Sequence, residues 1–350
     1  MERTAYRIID ANFNRAREAL RVMEEFCRFE LNSKPLWARA KQMRHTLCSI
    51  IARLDPSRLI ASRDTLADVG VGQTVENQMG RGNLRDCFTA ASKRLPEALR
   101  ALAEVTETLD PKPARDIENL RYAAYTLEKD IVLFADAAEK FKNVRLYVII
   151  SSHLPAEVLS LTQFCIAGQA DCIQLRAKGI QDDVLFAVAR EFVRLCRDGR
   201  VLSIINDRVD IAAAAGADGV HLGQNDLPVT EARRLQLSPM IIGKSTHSPE
   251  QLIAACAEAP AYAALGPVFA TGTKPTAQPL GLEYVEKGVE MLAETGISHV
   301  AIGGITPDNV GQVLLAGARA VAVCSAVTES ADPTAVCRTL KEKITLFDKR

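Results

Sequence analysis

A handful of short segments in the second half of the chain carry charged and hydroxyl residues at spacings that suit the handling of anions. Gln174-Leu-Arg-Ala-Lys178 alternates polar and apolar residues, so on a strand Gln174, Arg176 and Lys178 share one face. Two inward cations are costly without an anion, and either a bound phosphate group or a structural ion pair with a neighbouring carboxylate would supply one. Ile204-Ile-Asn-Asp-Arg208 and Gly219-Val-His-Leu-Gly-Gln-Asn-Asp226 each leave an aspartate where a β-like run ends. At adjacent strand ends, Asp207 and Asp226 could share a hard divalent cation, Mg²⁺, that also takes phosphate oxygens; either alone could as well cap a helix. His221, flanked by Val220 and Leu222, reads as a satisfied core histidine. In Gly243-Lys-Ser-Thr-His247, Ser245 can donate to a phosphate or cap the next helix.

Further along, Gly266-Pro-Val-Phe-Ala-Thr-Gly-Thr-Lys274 sets Thr271, Thr273 and Lys274 around Gly272, a loop of donors able to wrap an anion and suited to a lid. The glycines of Ile302-Gly-Gly-Ile-Thr306, beside Val323-Cys324-Ser325, let backbone N–H groups approach a second anion. Two anionic substrates meeting in one mouth suggest a transferase. No Ser-His-Asp set, activated cysteine or glycosidase carboxylate pair stands out.

These segments need a frame that brings them together. From Val144 onward, apolar or β-branched runs at 145–150, 172–176, 202–205, 219–222, 241–243, 262–268, 299–302 and 320–323 alternate with stretches that can be helical. Eight such units imply parallel pairing, and the polar residues at their ends favour a (β/α)8 TIM barrel with one shared mouth over a doubly wound sheet. The first part, 1–142, reads as an all-α domain preceding the barrel domain, 143–350. Phe13, Ala16, Leu20, Met23 and Cys27 recur at helical steps behind Asn12, expected as a cap, and Pro35 marks the stop. Leu36, Ala40, Met43, Leu47 and Ile50 continue in a second helix. The stretch 55–83 has no clean period. A third helix follows the stripe Leu84, Phe88, Ala91, Leu95, Leu99, Leu102 and Val105, with Pro96 expected to kink or split it. After a breaker at 110–113, Ile117, Leu120, Ala124, Leu127, Ile131 and Phe134 mark a last helix ending near Lys142.

Composition narrows the class. The 350 residues carry 43 basic and 43 acidic side chains, so the single-sign field expected of a nucleic-acid or anionic-membrane binder is lacking. The longest apolar runs, 146–150 and 211–215, fall far short of the ~18 residues of a spanning helix, and MERTAYRIID is unlike a signal peptide. A cytoplasmic, soluble protein is expected. Nine scattered cysteines without a C-x-x-C pair read as buried free thiols.

Taken in order, Gln174-Leu-Arg-x-Lys178, Asn206-Asp207-Arg208, Gly219-Val-His-Leu-Gly-Gln224 with Asp226, Gly243-x-Ser245, Gly266-Pro, Thr271-x-Thr-Lys274, Gly303-Gly304-Ile305 and Ser325 closely resemble thiamine-phosphate synthase over about residues 144–345. The resemblance implies that Gln174, Leu175, Arg176, Ala177, Lys178, Asn206 and Lys274 hold the hydroxymethylpyrimidine diphosphate and that Ser245 contacts this pyrimidine substrate. It implies Mg²⁺ on Asp207 and Asp226, and the thiazole phosphate on Thr271, Gly272, Thr273, Gly304, Cys324 and Ser325. Arg176, Lys178 and Lys274 would then stabilise the departing pyrophosphate, leaving a pyrimidine methylene cation for the thiazole nitrogen to capture. Ala177 stands where the family often has Glu, on a side chain facing away from the mouth. Arg7-Ile-Ile-Asp-Ala-Asn-x-Asn-Arg-Ala-Arg-Glu-Ala-Leu-Arg21 looks like the helical extension of one branch of these synthases, in which Asp10, Asn12, Asn14, Arg15 and Arg17 either bind a ligand or form a solvated, capped face. Dimerisation, giving a homo-oligomer, or interdomain packing is the role expected of that domain. A thiazole phosphate tautomerase of the same fold, which needs a histidine acid/base at the mouth, and a non-catalytic sensor of a phosphate ligand are the alternatives.

Overall fold

Short β-branched and apolar runs pair in parallel, each with its predecessor and successor in the chain. In the computed structural model, which describes residues 2–73, 80–236, 238–272 and 278–348, these are β1 (Leu146–Ile150), β2 (Cys172–Leu175), β3 (Leu202–Asn206), β4 (Gly219–Leu222), β5 (Ile241–Thr246), β6 (Tyr262–Leu265), β7 (Ser298–Ile302) and β8 (Val321–Val323). They close into a barrel, with Leu146 of β1 registered against Val321 of β8. All eight expected strands are present. β5 runs on to Thr246, and β6 stops at Leu265 because the following Gly266-Pro267 cannot continue the ladder.

Alternation at period two sorts the strand side chains into two apolar clusters. Leu146, Val148, Ile150, Ile173 and Leu175 pack with residues of the surrounding helices, such as Leu161, Phe192 and Leu340. Tyr147, Ile149, Ile204, Ile241, Tyr262 and Val300 form the other cluster, in the interior. Phe141 closes the floor, its ring stacked on Tyr262 with centroids 4.1 Å apart and planes 4° from parallel. Asp171 anchors the start of β1 by accepting the Arg145 and Leu146 N–H groups, each at 2.9 Å, and pairs with Lys341 of the last helix, Pro333–Asp348.

The chain forms two compact units, Met1–Val132 and Leu133–Arg350, with the helix Pro111–Phe141 running across the division. In the first unit the helix Glu2–Glu25 lays Ile9, Ala16, Ala19, Leu20 and Met23, all fully buried, in a core shared with Leu95, Leu99 and Leu102 of Leu84–Glu107 and with Leu47 of Lys34–Ile51. Asn12 is not a cap. The buried stripe starts upstream at Tyr6 and Ile9, so Asn12 sits mid-helix and its amide donates to the Ile8 carbonyl at 2.9 Å. Nor does Pro96 split its helix, which runs unbroken from Leu84 to Glu107. Leu95 and Leu99 on either side are fully buried, and that packing outweighs the single hydrogen bond the proline removes. Within 55–83, Asp55 caps a short helix, Pro56–Ala61, by accepting from Ser57 and Arg58 N–H, and turns follow it. Asp10 is buried and takes two hydrogen bonds from Arg63, at 2.7 and 2.8 Å, while Arg17 donates to Asn14 and Arg15 to Asn12. Among the described residues no helix is long and apolar enough to cross a membrane.

Candidate active site

Parallel strands in register all present their C-terminal ends at one mouth, and there the barrel opens into a cavity. Gln174, Arg176, Asn206 and Ser245 line it from β2, β3 and β5; Thr271, Gly304, Cys324 and Ser325 line it from the loops after β6, β7 and β8. Ile149, Ala264, Ile302 and Val323 supply apolar wall. One mouth thus gathers both groups of residues expected to hold anions.

On the first side Arg176 is steadied by a hydrogen bond from Nη1 to Ser151 Oγ at 2.8 Å. Lys178 lies outside the cavity lining and reaches Asp207, with Nζ 3.5 Å from Oδ2. Asp207 adopts a left-handed φ of +64°, and its N–H donates to the His221 carbonyl at 2.8 Å, which turns its carboxyl toward the end of β4. Asp226 accepts the Gly223 N–H at 2.6 Å. Burial and then the neighbouring Asp226 carboxylate raise the Asp207 pKa, against the opposing pull of Lys178. The two carboxylates of adjacent strands therefore stand close enough to feel each other, with too little positive charge nearby to relax them. Among the described residues no third His, Cys, Asp or Glu joins them in a cluster.

The opposite wall depends on glycine. Gly304 has φ +62°, and a Cβ there would fall 2.4 Å from the Ala270 carbonyl oxygen, so only glycine lets this turn pass beneath the loop after β6. Phe269 N–H donates to the Gly303 carbonyl at 3.0 Å and ties the two loops together.

Leu175 and Ala177 turn their side chains away, into the apolar layer under the helices, leaving only their main chain toward the mouth. Gly272 is described but is not part of the lining; Thr273 and Lys274 lie outside the described residues. Two histidines passed over in the sequence do line the cavity. His247 Nδ1 bonds the Gly266 carbonyl at 2.6 Å, and His221 joins Tyr262 and Ser245 through its two ring nitrogens at 2.9 and 2.8 Å. For His221 the signal was its parity: Gly219 and His221 share the inward face, opposite Asn206 and Gly243 in register.

Comparison with known proteins agrees with this geometry. The family model for thiamine monophosphate synthase matches residues 146–327, and the ThiD2 family model matches residues 7–130. Thiamine-phosphate synthase of Synechocystis sp. is 40% identical over 94% of this chain and 93% of its own length, and that of Nostoc punctiforme is 36% identical over 98% and 95%. Among solved structures, a thiamine phosphate pyrophosphorylase from Pyrococcus furiosus aligns with a TM-score of 0.53 and 32% identity, covering 58% of this chain and 96% of its own. A closed eight-stranded parallel barrel with this mouth, matched along nearly its whole length by such relatives, belongs to the thiamine-phosphate synthase family.

Proposed function

We propose that the chain joins 4-amino-2-methyl-5-(diphosphooxymethyl)pyrimidine to thiazole phosphate, or to its carboxylate, giving thiamine phosphate and pyrophosphate, with CO₂ from the carboxylate. It would do so on small-molecule substrates in the cytoplasm. The observation that carries this reading is the pairing, in one cavity, of a cation-and-amide wall (Gln174, Arg176, Asn206) with a glycine and hydroxyl wall (Gly304, Ser325). Neither wall alone needs a partner substrate; together they suit two anions that must meet.

In this reading Gln174 and Ser245 hold the pyrimidine ring. Arg176, Lys178, Asn206 and Lys274, with the main chain at Leu175 and Ala177, hold the diphosphate. Thr271, Gly272, Thr273, Gly304, Cys324 and Ser325 hold the thiazole phosphate. Asp207 and Asp226 are the residues that would hold Mg²⁺, a reading supported by two carboxylates set together at adjacent strand ends, where burial and then Asp226 push the Asp207 carboxyl up. When bound, Mg²⁺ supplies positive charge to diphosphate oxygens, which makes pyrophosphate a better leaving group. Arg176, aimed by Ser151, stabilises the negative charge that grows as the bond to the methylene carbon breaks. The apolar wall of Ile149, Ala264 and Ile302 keeps water from the resulting cation until the thiazole nitrogen reaches it. Little proton transfer is required of any side chain. For residues 1–142 we propose a role in assembly or interdomain packing, beside the catalytic barrel of 143–350.

The test is a discontinuous assay with both substrates and Mg²⁺, reading thiamine phosphate as its fluorescent oxidation product. Asp207→Ala and added EDTA should each abolish turnover. A folded wild-type protein that binds both substrates without converting them would make this chain a sensor.

A further inference from the structure

We propose that a cavity at the end of the barrel opposite the mouth binds an organic phosphate, a phosphoryl group carried on an apolar or aromatic body. This cavity shares no lining residue with the mouth, and the proposal does not rest on the function assigned there.

Parallel strands that end together also begin together. β7, β8 and β1 are neighbours in the closed sheet, and the cavity opens where they start, wholly within Leu133–Arg350. Main-chain hydrogen bonds gather the flanking side chains. Val321 N–H donates to the Arg145 carbonyl at 2.9 Å, and Arg319 N–H donates to the His299 ring at 2.9 Å, so β1 and β7 are both clipped to the segment that enters β8. Arg145, His299 and Arg319 line the cavity together with Lys142 and Ser298. Among the described residues no aspartate or glutamate joins them in the lining.

The donors can be assigned one by one. A backbone N–H can only donate, so the His299 Nε2 that meets it carries a lone pair and the ring proton sits on Nδ1. Burial, then Arg319 and Arg145, hold the His299 pKa down at about 4, so at neutral pH the ring is uncharged with Nδ1–H as its donor. Arg145 is already engaged: its Nε bonds Asp348 at 2.8 Å and its Nη1 bonds the Lys142 and Val144 carbonyls at 3.0 and 3.1 Å. Lys142 pairs with Glu139 at 2.5 Å. The Arg319 guanidinium, by contrast, makes no hydrogen bond or ion pair among the described residues, and it supplies the uncompensated charge.

Two helices, Pro111–Phe141 and Gly281–Leu292, end at this cavity, and bare terminal carbonyls would repel an anion. They are covered. The Leu292 carbonyl accepts the Thr295 N–H and hydroxyl at 3.0 and 2.8 Å, and the Phe141 carbonyl accepts the Val144 N–H at 3.0 Å. A phosphate ester has three terminal oxygens to share among the Arg319 fork, the His299 Nδ1–H and the Ser298 hydroxyl, where a carboxylate has two. The rest of the wall is Phe141, Val144, Val289, Leu292 and Ile297. An inorganic ion would leave that apolar surface wet, whereas a ring or chain on the phosphate covers it.

The test uses the full-length protein labelled with ¹⁵N-histidine and phenyl phosphate as the probe. The His299 signals, assigned by their loss in His299→Gln, should show a bare Nε2 and a protonated Nδ1, and the Nδ1 signal should shift saturably as phenyl phosphate is added. His221 and His247, which line the mouth, report any binding there separately. Arg319→Gln should weaken the affinity read at His299 about tenfold, the loss of one charge-assisted hydrogen bond, while turnover stays at the wild-type level. Ser298→Ala removes another donor and serves if Arg319→Gln does not fold. Inorganic phosphate should bind more weakly than phenyl phosphate. A His299 ring protonated on Nε2, no saturable shift at millimolar probe, an unchanged affinity in the folded variant, or inorganic phosphate binding as tightly as its phenyl ester would each overturn the proposal.

Discussion

Gly243 offers a severe test of how tightly the barrel interior is held. It sits on β5 opposite His221 on one side and Tyr262 on the other. A Cβ built there would lie 2.0 Å from Tyr262 Cζ and 2.4 Å from its hydroxyl oxygen, where ordinary contact begins at 3.4 Å. In Gly243→Ala the ring must therefore retreat by about 1.4 Å, the difference between those two separations. It has nowhere to go, because Phe141 is stacked on the ring at 4.1 Å and Tyr262 is fully buried. Overpacking of this kind costs about 1–3 kcal/mol. The displaced hydroxyl also loses good geometry to Tyr147 and His221, adding about 1 kcal/mol for each hydrogen bond. A total of about 3–5 kcal/mol should lower the melting temperature of the barrel by upwards of about 6 °C and shift its urea midpoint in proportion. Because the strain enters through Tyr262, turnover should fall as well. An alanine variant that melts with the wild type and keeps its activity would show that the ring is free to move, and the account of a rigidly positioned His221 would go with it.

Three further outcomes follow from the charges and the domain organisation. Asp207 has a raised pKa, so the folded state holds its proton more tightly than the unfolded chain, and stability declines as pH climbs from the ordinary carboxylate value through the raised one. Asp207→Asn should therefore melt above the wild type at neutral pH in the absence of metal, while losing turnover; a lower melting temperature would contradict the like-charge pair. His299, whose Nε2 accepts the Arg319 N–H at 2.9 Å, has its pKa lowered to about 4 by burial and then by Arg319 and Arg145. The unfolded chain then binds the extra proton first, so stability is complete above about 6.5 and drains away as pH falls toward 4; His299→Gln should flatten that part of the urea-midpoint profile, and an unchanged slope would assign it elsewhere. If residues 1–142 serve assembly or interdomain packing, a 143–350 fragment should differ from the full chain in mass per particle or in melting temperature, and identity in both would remove that role.

The fold was legible where one period ran uninterrupted. The eight strands are readable because buried parallel strands are short and apolar or β-branched and because several end on or run directly into polar residues, such as Ser151, Arg176, Asn206 and Thr246, as a common mouth demands. Errors fell in the helical part, where a residue's local habit competes with packing that only the assembled unit reveals. Asn12 looks like a cap until Tyr6 and Ile9 are seen to be buried upstream of it, and Pro96 looks like a break until Leu95 and Leu99 are found in one core.

The candidate site divides in the same way. Segments that meet an anion through their own backbone turn or strand end could be picked out singly, and Gln174, Arg176, Asn206, Ser245, Thr271, Gly304, Cys324 and Ser325 all reach one cavity. His221 could not be recognised so, because its partners Tyr262 and Ser245 stand 41 and 24 residues away on other strands. Its flanking Val220 and Leu222 signalled a buried ring correctly, yet in a closed barrel burial does not mean distance from the chemistry. The interior of β1, β4 and β6 is the floor of the cavity, and a histidine satisfied there by Tyr262 and Ser245 still stands in its lining. A core residue and a site residue are therefore different readings of one position only while the barrel is open; closing it makes them the same.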